Sequence, residues 1–417
     1  MSKADRKERT YPFPYHHELV LRIETLTHTG SGLGRVSLEE APACGGKNRG
    51  GWVVQVPFTI PGELVRARVF RNHANFSEAD VMEILEPSEH RRPARCKLFM
   101  QCGGCQLQHI AYQQQLLFKK RGVEEALHRG AGVVCEVSRV VGSPVEYGYR
   151  TKITPHFQKP RGGVVDAIGF LRHGQMHKLV DVEHCPIARD EINSALPLIR
   201  EQVRARATRY KNGATLLLRA DDHGVHCQPH EICRQRVGGL EFLFPAGAFF
   251  QNNTHILPEL TAHVTRTAKN TGASKLLDVY CGSGLLGLCA AKEFSEVIGV
   301  EIDEDSVLWA QQNATHNRIA NARFFCGDAE KIFAHAPADA RDTVVVLDPP
   351  RAGCSESFLA QLINYAPCAV VYVSCHPATQ ARDIKEMLAA GYNVREVAVF
   401  DLFPQTHHVE SVVLLTK

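Results

Sequence analysis

Residues 246–417 predict a doubly wound α/β domain, and three observations carry that prediction. The apolar runs KLLDVY, EVIGVEI, DTVVVLD and AVVYVS recur between stretches of helical periodicity. Near-continuous apolar strands separated by helices indicate a parallel sheet covered on both faces. Gly282, Gly284 and Gly287 follow the first run in the spacing G-x-G-x-x-G. Glycines so placed permit a tight turn and let a ligand approach the backbone at a helix N-terminus. Finally, Glu301 ends the second run, 19 positions after Gly282, where a carboxylate can accept hydrogen bonds from both hydroxyls of a ribose.

The rest of the chain divides by texture. A length of 417 residues predicts two or three domains. From His16 to Pro87 short alternating runs between Gly and Pro signals (LVLRIETL, THTGSGLGRV, WVVQVPF, LVRARVF, ADVMEILE) predict a small antiparallel barrel spanning residues 1–90. The stretch Ala43 to Gly51 reads as a loose hairpin tip. The basic segment SEHRRPARC, Ser88 to Cys96, reads as a linker into a central domain, 91–245. That domain opens with an amphipathic helix over about 111–129, apolar at Leu116, Leu117, Val123 and Leu127, and continues as strands broken by a helix near 190–207.

Composition narrows the function classes. Hydrophobic residues make up 44% and charged residues 22%, an ordinary globular balance that excludes a largely disordered or collagen-like chain. No apolar run reaches the roughly 18 residues of a membrane span. The opening MSKADRKERT lacks the apolar core of a signal peptide, so a cytoplasmic protein is expected. Fourteen cysteines in a reducing compartment point to metal ligation or thiolate chemistry rather than disulfides. The formal charge of +3 is too small to demonstrate a polyanion partner, so nucleic acid has to be argued locally.

Two further motifs carry chemistry. DPPRAGC, Asp348 to Cys354, follows the third apolar run, and its Pro-Pro pair stiffens a loop at the carboxyl edge of the sheet, where open α/β folds bind ligands. YVSCHPATQARDI places Cys375 at the matching edge of the next strand, and Pro377 is expected to hold that loop extended rather than helical. A cysteine at a strand end in a positive field can serve as a thiolate nucleophile. The G-x-G-x-x-G loop with Glu301 fits NAD and S-adenosylmethionine alike, since both carry the ribose. The later motifs decide for the second.

The stretches FFQNNTHILPEL, LLDVYCGSGLLGL, GVEID, LDPPRAGC, YVSCHPATQARDI and FDLFPQTHHVESVVLL resemble those of the S-adenosylmethionine-dependent RNA uracil-5-methyltransferases. The GSGLGR turn and its barrel resemble the TRAM RNA-binding module. The resemblance implies a Rossmann-like methyltransferase domain, an OB-like TRAM barrel and a central β-rich iron-sulfur domain. It implies Cys375 as nucleophile and Glu410, in HHVES, as general base. It places cofactor contacts at Gln251, Tyr280, Glu301, Asp328 and Asp348, the last also holding the target base. Leu285 departs from the polar residue common in relatives, which leaves backbone contact with the cofactor as the expectation there.

This chemistry has a physical logic. C5 of uracil is a poor nucleophile because its electrons are committed to a conjugated ring. A thiolate adding to C6 breaks the conjugation and produces an enolate whose C5 can attack a sulfonium methyl. A base must then remove the C5 proton so that the thiolate can leave. A stacked base is shielded, so the uridine must be flipped out or lie in a loop.

Cys96, Cys102 and Cys105 stand as C-x5-C-x2-C, with Cys185 following much later. By spacing alone these suit zinc or an iron-sulfur centre; resemblance to the iron-sulfur branch of the family implies a [4Fe-4S] cluster on all four. HRRPARCK, FKKR, VRARATRYK and RARVFRNH, basic segments interleaved with aromatics, are candidate phosphate and base contacts. Relatives with both barrel and cluster more often act on large-subunit rRNA, so 23S-type rRNA is the favoured partner, with tRNA uridine-54 as the alternative and a monomer as the default state. An NAD-dependent or iron-sulfur oxidoreductase would leave DPPR, Cys375 and Glu410 without a task, and the same two residues argue against a noncatalytic RNA-binding protein.

Overall fold

A computed structural model describes residues 12–37, 51–327 and 332–417. The chain forms two compact units. The first is Met1–Phe118 with Leu171–His177 and Gln405–His407; the second is Lys119–Phe170 with Lys178–Pro404 and His408–Lys417. Among the described residues no helix is long and apolar enough to cross a membrane.

The first unit begins with β1 (Glu18–Leu26), β2 (Gly32–Val36), β3 (Trp52–Val56), β4 (Leu64–Asn72) and β5 (Phe76–Glu86), closed into a barrel in the order β1-β2-β3-β5-β4. Every second residue points inward, and Leu21, Ile23, Trp52, Val54, Val56, Val65, Ala67 and Val69 fill the interior. The expected barrel is present but is not wholly antiparallel, because β3 pairs with β5 in parallel from Val53↔Phe76 to Gln55↔Glu78. The reason is parity: a ring with an odd number of strands cannot alternate direction all the way round. Gly34 lies where a Cβ would meet Arg22 O at 2.4 Å, so the GSGLGR turn needs glycine for close approach of two strands. Residues 43–50 of the expected hairpin tip lie outside the described residues. The segment after the barrel is anchored rather than loose. Arg91 closes a two-pronged ion pair on buried Glu63, at 2.6 Å to Oε1 and 2.7 Å to Oε2.

Helix α1 (Tyr112–Ala131) buries Leu116, Val123 and Leu127, whose spacing of seven and four keeps one face. Leu117, expected on that face, is 44% exposed; it lies one position, about 100°, round the helix from Leu116. Strand β6 (Arg139–Val141) follows. The β-rich stretch after it comprises β7 (Lys152–Ile153), β8 (His156–Phe157), β9 (Ile168–Arg172), β10 (Gln175–Asp181), α2 (Asp190–Ala205), β11 (Ala214–Thr215), β12 (Leu218–Asp221), β13 (Gly224–His226), β14 (Ile232–Val237) and β15 (Leu240–Pro245). These strands make the small sheets β10-β9-β8-β11 and β13-β12-β7 and the hairpin β14-β15. Arg200 of α2, itself buried, grips both carboxylate oxygens of Asp181 at 2.9 and 2.7 Å.

The remaining elements are α3 (Leu257–Lys269), β16 (Lys275–Val279), α4 (Leu285–Ala290), β17 (Glu296–Glu301), α5 (Glu304–His316), β18 (Ala322–Cys326), β19 (Thr343–Leu347), α6 (Glu356–Tyr365), β20 (Ala369–Ser374), α7 (Pro377–Ala389), β21 (Asn393–Phe400) and β22 (Glu410–Thr416). They build one sheet in the order β18-β17-β16-β19-β20-β22-β21-β6. Strands β18 through β20 are mutually parallel. From β16 the chain runs outward through β17 and β18, then returns to the other side as β19, which makes the crevice beyond β16 and β19 the ligand-binding switch point. The last strand, β22, enters antiparallel between β20 and β21.

A buried ion pair ties α1 to the chain that leads into β22. Lys119 Nζ donates to Asp401 Oδ1 at 2.5 Å and to Phe403 O at 3.1 Å, and both charged side chains are fully buried. Burial pushes the Lys119 ammonium below its ordinary range, and only the opposed Asp401 charge counters it. Lys119→Met should cost about 3–5 kcal/mol in denaturant unfolding because it leaves the carboxylate buried and unpaired. Adding Asp401→Asn should recover part of that loss; equal stability of the single variant and the parent would contradict the assignment.

Candidate active site

The glycine loop behaves as its spacing demands. Tyr280, Gly282 and Gly284 take left-handed conformations at φ 62°, 52° and 86°, so the turn after β16 reverses sharply. Gly287, inside α4, sits where a Cβ would lie 2.8 Å from Asp278 Oδ2, and its N–H donates to that oxygen at 2.8 Å. Asp278 is fully buried, and its Oδ1 has no hydrogen-bond partner among the described residues. Burial, reinforced by the charges of Asp348 and Glu301, pushes its carboxyl up to about 7.

Glu301 ends β17 facing this loop. Its Oε2 accepts from Gly282 N at 3.1 Å, while Oε1 accepts from Ile302 N at 2.8 Å and Asp303 N at 3.2 Å. The backbone thus aims the carboxylate at the turn. Ile302, next in sequence, is 65% exposed and offers an apolar face beside that carboxylate. Sequence reasoning passed over it, although an apolar residue directly after the strand-ending acid was its signal. Asp328 lies outside the described residues. Gln251 is buried in a stretch pinned by Asn253, whose Nδ2 donates to Ser143 Oγ at 3.0 Å and Leu402 O at 3.1 Å.

Cys375 and Glu410 are brought together by sheet register. Ser374 of β20 pairs with Ser411 of β22, so the next residue out on each strand, Cys375 and Glu410, face one another at the carboxyl edge. Ser411 Oγ donates to Ser374 O at 3.2 Å and bonds Gln380 Oε1 at 2.7 Å, and Gln380 Nε2 donates to Tyr372 O at 2.9 Å. Pro377 corrects one expectation. It does not hold an extended loop but is the first residue of α7, capped by His376. A proline costs nothing there because the first helical N–H needs no partner, so Cys375 sits in a two-residue connection between strand and helix.

Three charged groups act on the Cys375 sulfur. Burial raises the thiol to about 11, with Glu410 and Asp348 adding to the rise and the positive charge of Arg351 opposing it. The positive field expected from the sequence is therefore one arginine, outweighed by burial and two carboxyls. Glu410 is buried, with Oε1 unpartnered among the described residues, and burial followed by the Asp348 charge holds its carboxyl well above the ordinary range. Burial raises Asp348 to about 7. Arg351 Nη2 also lies 3.3 Å from His408 Nε2. Neither Arg351 nor His408 was singled out from sequence, although the first stands three residues after Asp348 and the second two before Glu410.

The cysteines behave as distinct groups. In the first unit, Gly104 N donates to Cys102 Sγ at 3.4 Å, and burial with the neighbouring Cys96 pushes the Cys102 thiol up. Cys96, Cys102 and Cys105 are half-buried. In the second unit, Asn193 of α2 frames the Cys185 loop, accepting from Cys185 N at 2.8 Å and donating to Cys185 O at 3.1 Å. Elsewhere, donor atoms of Asp221, His226 and Cys233 lie within 4.8 Å of one another, but Arg219 and Lys152 act on the Cys233 thiol, and those two positive charges oppose a divalent cation there. A cavity of about 410 Å³ between α3 and α4, lined by Thr261, Arg266, Lys269 and Cys289 among others, carries none of the candidate residues.

A parallel switch-point sheet, a glycine turn beneath an orphaned buried carboxyl and a glutamate aimed at that turn define a doubly wound nucleotide-binding domain of the kind used by S-adenosylmethionine-dependent methyltransferases. Residues 231–417 match the family described as tRNA (Uracil-5-)-methyltransferase. The chain is 42% identical to the tRNA (uracil(54)-C(5))-methyltransferase of Schizosaccharomyces pombe, over 97% of this chain and 79% of that one. It is 33% identical to the enzyme of the same description from Saccharomyces cerevisiae, over 97% and 74%, and 30% identical to an uncharacterized RNA methyltransferase of Halalkalibacterium halodurans, over 94% and 95%. The chain belongs to the RNA uracil-5-methyltransferase family. The crystal structure of Pyrococcus abyssi tRNA (uracil-54, C5)-methyltransferase in complex with S-adenosyl-L-homocysteine shares the fold, with a TM-score of 0.71 at 24% identity across 95% of this chain and all of that one.

Because Asp278 and Asp348 titrate near 7 when folded, the folded chain holds protons that the unfolded chain has released above the ordinary carboxylate range. The contribution of these two carboxyls to the stability of the ligand-free protein therefore falls as pH rises from about 4 to about 7. Asp278→Asn keeps an acceptor for Gly287 and removes one such charge. Its melting temperature should decline less than the parent's between about pH 5 and about pH 8, read by scanning fluorimetry; equal declines would refute the burial of a titrating carboxyl.

Proposed function

We propose that this protein forms 5-methyluridine at position 54 of tRNA, with Cys375 as nucleophile and Glu410 as general base. The observation that carries the reading is the β20/β22 register, which sets the thiol and the carboxyl side by side at the carboxyl edge of the sheet. S-adenosylmethionine supplies the methyl on a sulfonium when bound. Gln251, Tyr280, Glu301, Asp328 and Asp348 are proposed to hold it, and the unpartnered, fully buried Oδ1 of Asp278 suits a site completed by a ligand. The Cys375 thiol gives its proton to solvent, and the sulfur bonds to C6 while the C5–C6 electron pair moves into the ring as an enolate. C5 then bonds the methyl as the methyl's bond to the donor sulfur breaks, its electron pair staying with that sulfur as a neutral thioether. Glu410 then accepts the C5 proton, the ring double bond re-forms and the C6–S bond breaks. Desolvation makes Glu410 a stronger base than a solvated carboxylate, which suits proton removal from carbon.

For the RNA itself, the rRNA preference drawn from the sequence gives way to the tRNA alternative. The two relatives named by substrate, 42% and 33% identical across nearly the whole chain, are both tRNA uridine-54 enzymes. The barrel and the cysteine pattern, which carried the rRNA preference, speak for RNA in general and contain no information about which RNA. The barrel of residues 1–90 is proposed to act as a TRAM-like grip on the phosphate backbone.

Cys375→Ala should abolish methylation of unmodified tRNA, whereas Glu410→Gln should stall after addition and accumulate a protein–RNA adduct visible as a shifted band on denaturing gels. Mass mapping of the product should place the methyl at uridine 54. Full turnover by the alanine variant would overturn the nucleophile, and methylation confined to rRNA would overturn the substrate.

Cys96, Cys102, Cys105 and Cys185 are further proposed to bind a [4Fe-4S] cluster. What supports the reading is the C-x5-C-x2-C spacing and the chemistry of four soft, half-buried thiols, one of them receiving a backbone N–H at its sulfur. No electron transfer enters the methylation chemistry, so the cluster's role is to brace the protein. Protein purified without oxygen should be brown, with broad absorbance near roughly 400 nm that Cys102→Ala removes; colourless protein with stoichiometric zinc would refute iron.

A further inference from the structure

The loop from β19 to α6 carries Arg351, and the first turns of α7 hold that loop from behind. Thr379 Oγ1 donates to Arg351 O at 3.1 Å. Arg382 Nη2 donates to Ala352 O at 3.0 Å and Cys354 O at 3.1 Å. Asp383 is fully buried; its Oδ2 accepts from Cys354 N at 2.7 Å and from Tyr372 OH at 2.6 Å. Arg382 Nε and Nη2 close on its Oδ1 at 2.8 and 2.7 Å. Gly353, at φ 77°, passes so near that a Cβ would lie 2.6 Å from Asp383 Oδ2.

Such tethering fixes the backbone from which the Arg351 side chain projects. A long, exposed arginine loses much rotamer freedom when its head is held in one place, and a rigid backbone beneath it reduces what remains to be lost. The groups that act on the Cys375 sulfur are Glu410 and Asp348, which oppose the thiolate, and Arg351, which favours it, with His408 beyond the guanidinium. Of these residues, Arg351 has its own carbonyl held by a side chain of α7.

We propose that Arg382 and Asp383 are a positioning pair that keeps the Arg351 guanidinium on the Cys375 sulfur and so sets the pH range in which that sulfur reacts. The inference rests on the nucleophile reading above, but its test needs neither RNA nor methyl donor. The full-length protein is treated with iodoacetamide across a pH series, and the Cys375 peptide is quantified by mass spectrometry. Arg351→Gln, Arg382→Gln and Asp383→Asn should each alkylate Cys375 about threefold to tenfold more slowly near pH 8, the equivalent of a rise in thiol pKa of up to about one unit.

Sign separates positioning from mere charge. Arg382→Gln removes a positive charge and Asp383→Asn a negative one, so long-range electrostatics alone would move the two profiles in opposite directions, whereas loss of the clamp moves them the same way. Arg382 is more than half exposed, so its variant reports even if Asp383→Asn folds poorly. Profiles for Arg382→Gln and Asp383→Asn that follow the parent, or that diverge in sign, overturn the proposal while leaving the nucleophile reading intact. An inactive clamp variant with unchanged alkylation overturns it equally. Turnover by Cys375→Ala defeats the nucleophile itself.

Discussion

The proposed catalytic arrangement depends on one topological constraint: β22 enters the sheet antiparallel between β20 and β21. An all-parallel sheet would direct every carboxyl edge to one side and leave the N-terminus of the final strand at the opposite side. Reversing the last strand brings its first residue, Glu410, to the edge where β20 delivers Cys375. The Ser374–Ser411 pair then sets the start of the Cys375 connection one register step from Glu410. The bonds of Ser411 and Gln380 to the β20 backbone reinforce that register where a slip would separate the thiol from the carboxyl.

The site built on this register concentrates negative potential. Asp278, Asp348, Glu410 and Glu301 lie along one edge, and Arg351 faces them. Burial above all raises the carboxyls of Asp278, Asp348 and Glu410 and the Cys375 thiol, and neighbouring carboxyls add to the rise at Asp278, Glu410 and Cys375. A bound sulfonium is positively charged, and its arrival would lower the cost of ionising each of these groups. The site in its resting state is thus matched to what it receives. The stability lost to burying carboxyls is a local concession of the kind folds make at functional sites.

Much of this was legible in the sequence, for reasons that differ from element to element. The strand runs and glycine spacing located the parallel sheet and Glu301 because buried parallel strands are apolar throughout and because the glycine turn leaves few alternatives. Alternation in residues 16–87 gave the barrel strands, but it reports which face a residue occupies and not which strand lies alongside, so the parallel β3/β5 pairing was invisible. Pro377 was misread because a proline stiffens an extended loop and opens a helix equally well. Lys119 belongs to FKKR, read from the sequence as a candidate phosphate contact, but it is fully buried on Asp401, which lies at the far end of the sequence and so gave no local signal. Arg351 and His408 depend in the same way on partners distant along the chain.

One modest element, β6, has an architectural meaning. Three residues, Arg139–Val141, pair in parallel with Ala398–Phe400 and cover the outer margin of β21. A catalytic fragment cut at the apparent start of the α/β segment would expose that margin's backbone donors and acceptors to any passing strand. The methyltransferase half is consequently not a module that can be lifted out at residue 246. Its smallest self-sufficient form would begin upstream of Arg139, so the central β-rich segment is an insertion within the catalytic fold and not a separate bead ahead of it.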